Sequence, residues 1–246
     1  MKDYLIDTHA HLDMLDTPDY AGVGKIVIPS VEEKTMDKVI EIADNNENIF
    51  AMVGIFPSEA KTYSDEIKNR MIERAKNPKV KAIGEIGLDY YWDTSFNDLQ
   101  KEVFAKQIKL ANKLNLPIVV HNREAHKDTF DILKQENKSS KVLYHCFSGS
   151  VEYMRECIKE GWLIAIGGVV TFKNAQKVKD VAKEVPLSHL VLETDSPYLT
   201  PVPFRGKPNK PEYIKYVAEE IAKLRDMPIS ELIDITTQNA EEFFGI

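Results

Sequence analysis

Two histidines one residue apart, His9 and His11 in Asp7-Thr8-His9-Ala10-His11-Leu12-Asp13, can converge on one ion if the backbone is extended there, because residues two apart on a strand share a face. A pair of hydrogen-bonding surface histidines would read the same way, so the motif needs company. Glu85 in Gly84-Glu85-Ile86-Gly87-Leu88-Asp89, His121, His145, and Asp195 in Glu193-Thr194-Asp195-Ser196-Pro197 supply it, each closing a short apolar run. A mix of imidazoles and carboxylates suits Zn²⁺, Mn²⁺ or a similar transition ion better than Mg²⁺, which prefers oxygen ligands.

Something must bring these residues to one place. Apolar, β-branched runs recur at residues 4–8, 25–29, 51–55, 80–85, 117–121, 141–145, 163–167 and 189–195. Their nearly continuous apolar character is that of strands buried on both faces. Segments of helical periodicity separate them. Phe104, Ile108, Ala111 and Leu114 make one stripe in a helix that stops before Pro117, and Ile229 to Phe244 reads as a last helix entered near Ser230. Eight runs are what a (β/α)8 TIM barrel needs, and 246 residues fit one such domain spanning 1–246. A doubly wound open sheet would use fewer strands over this length. In a barrel the candidate ligands all fall at the carboxyl ends of strands, the face where barrel active sites lie.

Composition sets the outer bounds. The chain carries 32 Lys+Arg against 39 Asp+Glu, a net charge of −7, with 43% hydrophobic and 29% charged residues. That is a globular composition with a core to bury, which excludes disorder. It also excludes a broad basic coat for nucleic acid while leaving a local phosphate site open. Cys146 and Cys157 are too few for a disulfide framework and are read as reduced thiols. No run has the length of a membrane span or the layout of a signal peptide, so the expected location is cytoplasmic, with no membrane and no obligate protein partner.

The strings His9-Ala10-His11, GEIGLDYY at 84–91, the stretch from Pro117 to Arg123, HCFSGS at 145–150, GGVVTFKNA at 167–175 and ETDSPYLTP at 193–201 resemble, in order, the TatD-type metal-dependent deoxyribonucleases, members of the amidohydrolase-like metallo-barrels. The resemblance runs from about residue 4 to the helix carrying Gln238-Asn239. It implies that His9, His11 and Asp195 hold one divalent ion, that His121 and His145 hold a second, and that Glu85 bridges them. Zn is the leading choice, with Mn, Ni or Mg as alternatives. It also implies that Asp195 takes the proton of the attacking water.

Substrate contacts are read from the residues around the ligands. Arg123 could pair a phosphate bidentately, in competition with a salt bridge to Glu124 or Asp128. Ser148 and Gly149 could present a hydroxyl and a backbone N–H to an anion. Tyr90, Tyr91 and Trp92 follow the fourth run, where one aromatic could stack on a base and the others would be loop packing. Arg205, Lys207 and Lys210 read as a solvated loop, and His126 and His189 as structural. One string departs from the family: where its members carry a Gly-Ile-His-Pro-His-type sequence, with the first histidine contacting phosphate, this chain has Gly54-Ile55-Phe56-Pro57-Ser58. The leading expectation is a metal-dependent phosphodiesterase cutting DNA from an end or on single strands. The rival is a metal-dependent ester or amide hydrolase such as an aminoacyl-tRNA deacylase, towards which Phe56 moves weight. A binding protein that kept the metals without turnover is the third class, disfavoured by six intact ligand positions.

Overall fold

The apolar runs become strands buried on both faces: β1 (Leu5–Asp7), β2 (Val23–Pro29), β3 (Ile49–Val53), β4 (Val80–Asp89), β5 (Ile118–Arg123), β6 (Val142–Tyr144), β7 (Leu163–Ile166) and β8 (Leu190–Leu192). The amphipathic segments become α1 (Glu33–Asp44), α2 (Asp65–Arg74), α3 (Asn97–Leu114), α4 (His126–Glu136), α5 (Val151–Lys159), α6 (Gln176–Glu184), α7 (Ile214–Leu224) and α8 (Ile229–Phe244). This computed structural model describes residues 2–15 and 20–246. The strands form one sheet in the order β1 to β8, and the fold is the expected (β/α)8 barrel. Packing groups the chain into two compact units: residues up to Ile28 with His145–Ile246, and Pro29–Tyr144.

In the first unit, β7 pairs in parallel with β8, Ile164 opposite Leu190 and Ile166 opposite Leu192. The ladder then passes to β1 and its extension. The Thr8 N–H and Oγ1 both donate to the Leu192 carbonyl at 3.1 and 2.9 Å, and Ala10 bridges Ser196. Helix α8 fastens this arrangement from outside. Thr237 donates to the Tyr4 carbonyl at 2.9 Å, and the Asn239 amide donates to the carbonyls of Leu187 and Leu190 at 2.7 and 2.8 Å. Its entry differs from expectation: Pro228 occupies the N-cap without a side-chain hydrogen bond, and Ser230 lies inside the first turn. Proline pre-sets the entry φ, so no serine cap is required.

In the second unit, β3 to β6 pair in sequence. Strand β4 runs four residues beyond the expected end at Glu85, which therefore sits within the strand at a register irregularity between Ile83 and Ile86. Pairing resumes past it with Gly87 opposite His121 and Asp89 opposite Arg123. Gly87 has φ +147°, and a Cβ there would stand 1.9 Å from the His121 carbonyl oxygen. Only glycine allows the two strands to meet at the histidine. Helix α3 buries Phe104, Ile108 and Ala111 completely and ends in a left-handed Asn115. Two glutamines seven residues apart on its inner face hold the strand ends. Gln100 accepts the Asp89 N–H at 2.9 Å and donates to its carbonyl at 3.0 Å. Gln107 does the same for Ile55 at 2.8 and 3.0 Å.

The segment leading into β1 is also tied to α8 by charge. The Glu241 carboxylate accepts from Tyr4 Oη at 2.6 Å and from Lys25 Nζ at 2.8 Å, and Lys2 Nζ stands 2.8 Å away. Partial burial works to raise this carboxyl, but the bonds from Lys2, Lys25 and Tyr4 outweigh it and hold it at about 2, below the ordinary 4.5. A depressed carboxylate stabilises the fold above its unfolded pKa, and that contribution is lost as pH falls through the folded one. Glu241→Gln should therefore lower the thermal midpoint at pH 7, with the gap to wild type closing between pH 4.5 and about 2 in a pH series of melting curves. A gap that stays constant over that range would show that the charge contributes nothing.

Candidate metal centre

The ends of β8 and β1 set the donor group of the first unit. Beyond Leu192 the chain leaves strand geometry because Asp195 is left-handed, at φ 56°, which ends β8 three residues before the expected boundary. The Asp195 N–H donates to the His9 carbonyl at 2.9 Å and the His11 N–H to the Ser196 carbonyl at 2.8 Å. These backbone bonds bring Asp195 Oδ1 to 3.4 Å from His11 Nε2 and 3.9 Å from His9 Nε2. A left-handed non-glycine residue stores local strain of the kind that clusters at functional sites.

His145, the residue after β6, completes this group. Its ring stacks on that of His9 with centroids 3.7 Å apart. His9, His145 and Asp195 each offer a donor atom, all within 4.8 Å of one another. His145 Nδ1 lies 3.1 Å from Glu193 Oε2, which leaves Nε2 to coordinate. Glu193 is fully buried and also accepts the Cys146 N–H at 2.7 Å. Burial is the largest influence on the Asp195 carboxyl and works to raise it. The bond from His11 and the nearby His145 and His9 prevail and hold it below the usual carboxylate range.

Beneath them lies Asp7, wholly buried. It accepts from Thr194 N at 2.9 Å, Thr194 Oγ1 at 2.5 Å and His9 N at 3.2 Å, so one carboxylate braces both strand ends. Burial pushes its carboxyl up to about 8 against those hydrogen bonds.

The second unit carries its own constellation. His121 Nδ1 stands 2.9 Å from Glu85 Oε1 and Nε2 3.0 Å from Asp89 Oδ2. Asp89 also accepts the Tyr91 N–H at 2.9 Å. Burial would raise the Asp89 carboxyl, and the bonds from His121 and Tyr91 with the Arg123 charge bring it below the usual range. The Phe56 ring meets the His121 ring edge-on, centroids 4.6 Å apart.

Of the remaining candidates, Tyr90 donates its hydroxyl to Asp128 at 2.8 Å. Asp128 is thus engaged by Tyr90 and approached by Lys101 at 3.6 Å, and Arg123 lies over the Tyr91 ring, 3.7 Å from its centroid, instead of in the alternative salt bridge to Glu124 or Asp128. Ser148 is exposed and Gly149 buried in the turn before α5, which Ser150 caps. Arg205 packs on Phe172, 3.9 Å from the ring centroid. Three carboxylates that contact the candidate ligands escaped the sequence reading: Asp7, Asp89 and Glu193. Glu193 lies two residues before Asp195 and Asp7 two before His9, the alternation that marks a shared strand face. That spacing was their available signal.

The donor set fits a transition ion. Buried imidazole nitrogens and carboxylate oxygens converge, and the further nitrogens of His121 and His145 face carboxylates, the arrangement that fixes the orientation of metal-bound histidines.

A sequence model of the family described as TatD related DNase matches residues 6–245. The metal-dependent hydrolase YabD of Bacillus subtilis is 44% identical, over 98% of this chain and 99% of its own. The crystal structure of YjjV, a TatD homologue from Escherichia coli, superposes with a TM-score of 0.93 at 32% identity, covering 100% of both chains. A TatD-family hydrolase from Entamoeba histolytica shares the fold at TM-score 0.84 and 22% identity, over 99% of each chain.

Glu193→Gln tests the bracing of His145. Glutamine keeps the volume and can still accept from Cys146 N–H, but its amide N–H₂ then faces Nδ1–H. Zinc affinity, measured by chelator competition, should fall about 10- to 100-fold with the circular dichroism spectrum unchanged. Unaltered affinity would remove His145 from the ligand set.

Proposed function

The chain belongs to the TatD-related DNase family and is a metal-dependent hydrolase, and from that premise we propose that it hydrolyses phosphodiester bonds of DNA, from an end or on single strands. In this reading His9, His11 and Asp195 would hold one divalent ion and His121 and His145 a second, with Glu85 as a ligand common to both. Zinc is the ion this donor set suits best, with manganese, nickel or magnesium as alternatives. The observation that carries the reading is the group His9, His145 and Asp195, whose donor atoms lie within 4.8 Å of one another. The reducing cytoplasm is the proposed location, supported by two free cysteines, Cys146 and Cys157. Among the described residues no helix is long and apolar enough to cross a membrane.

When bound, the ions supply positive charge that acidifies water and polarises the scissile bond. The chain does the rest. Asp195, held below the usual carboxylate range, stays ionised at neutral pH and accepts the proton of the attacking water. Glu193 and Asp89 keep the imidazoles of His145 and His121 in one orientation. Arg123 offers guanidinium N–H groups to a phosphate oxygen, and Ser148 and Gly149 present further donors. Tyr90 contributes its ring wall, since its hydroxyl is engaged by Asp128.

A metal-reconstituted panel of single-stranded DNA, duplex DNA, aminoacyl-tRNA and a simple phosphodiester tests the reaction class. Single-stranded DNA should be cleaved, chelation should abolish cleavage, and Asp195→Asn should reduce kcat about 10²- to 10⁴-fold with the fold retained. Full activity in strong chelator would remove the mechanism.

The second reading, an ester or amide hydrolase such as an aminoacyl-tRNA deacylase, is favoured by one observation: the Phe56 ring edge lies against His121. An apolar ring there makes no bond to a phosphoryl oxygen. For a nuclease, Phe56→His should add a charge-assisted bond of about 1.5–3 kcal/mol and raise kcat/KM on single-stranded DNA roughly tenfold to a hundredfold. For an ester or amide hydrolase, the same change should lower turnover of aminoacyl-tRNA. Both activities, measured with metal content matched, decide between them.

A further inference from the structure

The loop that follows β4 exposes aromatic surface beside the site. Trp92 is 74% exposed and Tyr91 48% exposed, although each ring would gain from burial. The two rings meet edge to face, centroids 4.8 Å apart. Arg123 lies over Tyr91 at 3.7 Å and within 5.5 Å of the Trp92 centroid. Cation–π contact of this kind uses the ring face and does not consume the guanidinium N–H donors. Among the described residues, no carboxylate pairs with that guanidinium.

The cluster is fixed to the candidate ligands through one residue. Asp89, which holds His121 Nε2 at 3.0 Å, also takes the Tyr91 N–H at 2.9 Å. Asp89 is register-paired with Arg123, and the Tyr90 N–H donates to the Arg123 carbonyl at 2.9 Å. Platform and imidazole therefore share a carboxylate and a strand pair.

We propose that Arg123, Tyr91 and Trp92 form a nucleotide platform, on which the guanidinium donates to a phosphate oxygen and the Trp92 indole stacks on the base attached to that phosphate. This deepens the nuclease reading and rests on it: the substrate class is a single-stranded polynucleotide, whose bases have free faces. A base in a duplex is already stacked on both sides and gains nothing from Trp92. Sequence preference is weak, because every base offers a π face.

The experiment uses the full-length, metal-loaded protein with two short nuclease-resistant phosphorothioate probes of equal charge, an oligothymidylate and its abasic counterpart. The thymidylate should quench tryptophan emission from the exposed Trp92, while Trp162, only 5% exposed, stays silent. Trp92→Ala should raise the thymidylate Kd roughly 5- to 150-fold and leave the abasic Kd unchanged. Trp92→Phe should restore most of the loss, and Arg123→Ala should weaken both probes alike. Equal Kd for both probes in wild type, or base discrimination that survives Trp92→Ala, would overturn the platform. Hydrolysis of a simple phosphodiester, assayed alongside, separates the two readings. If it persists while base discrimination is absent, only the platform falls. If no phosphodiester is cleaved while discrimination is intact, the nuclease reading falls and the platform stands as a nucleotide contact for another bond.

Discussion

Carboxylates placed away from water have to be compensated, and around these histidines the compensation also aims the ligands. Glu193 has no exposed surface, yet it is kept by a backbone N–H from Cys146 and by His145 Nδ1. Asp7 is equally buried and is satisfied by Thr194 and by the His9 backbone. Leaving such a group unpaired costs several kilocalories per mole, more than one side-chain rotamer is worth. The imidazoles consequently have little freedom. Their orientation is a by-product of satisfying the acids behind them.

The same acids carry a cost of burial. Burial pushes Asp7 up to about 8, with the nearby Glu193 charge adding to it. Asp195 is held down only by its histidine neighbours. A divalent cation held at this cluster would supply opposite charge, and its binding free energy would then add to the stability of the folded state. The backbone strain of Asp195, at φ 56°, is carried by the same scaffold. The parallel ladder from Thr8 to Leu192 and the bridge from Ala10 to Ser196 hold it in place.

His9, His11, His145 and Asp195 follow the ends of β1, β6 and β8, as the apolar runs led one to expect, whereas Glu85 and His121, expected to close their strands, lie inside β4 and β5. What the sequence concealed was the division of labour among acids. Glu85 and Asp89 lie four apart in one strand, and both face His121; residue type alone does not say which binds an ion and which braces the ring. Strand β4 outran its expected end because Gly87 lets it pair with β5 where any side chain would strike the His121 carbonyl. Gln100 and Gln107 look like surface polar residues until their amides are seen to close on the backbone of Asp89 and Ile55. Propensity and periodicity carry no information on such long-range pairings, which come from tertiary packing.

A chain of net charge −7 gains little from long-range steering of a polyanion, so affinity for one must be local. Arg123 illustrates how. Had it paired with Glu124 or Asp128, its charge would have been neutralised at the surface. Tyr90 and Lys101 occupy Asp128 instead, and an aromatic face orients the guanidinium without consuming its hydrogen bonds. Phe56 acts in the opposite sense at His121, since its ring edge adds shape and apolar contact but no charge. Near β5 the chain thus presents two different contacts, a cation on the Tyr91 ring and the Phe56 ring packed on an imidazole. On the nuclease reading, selectivity would then depend on which part of the substrate is charged and which part is flat, a distinction that metal ions by themselves would not make.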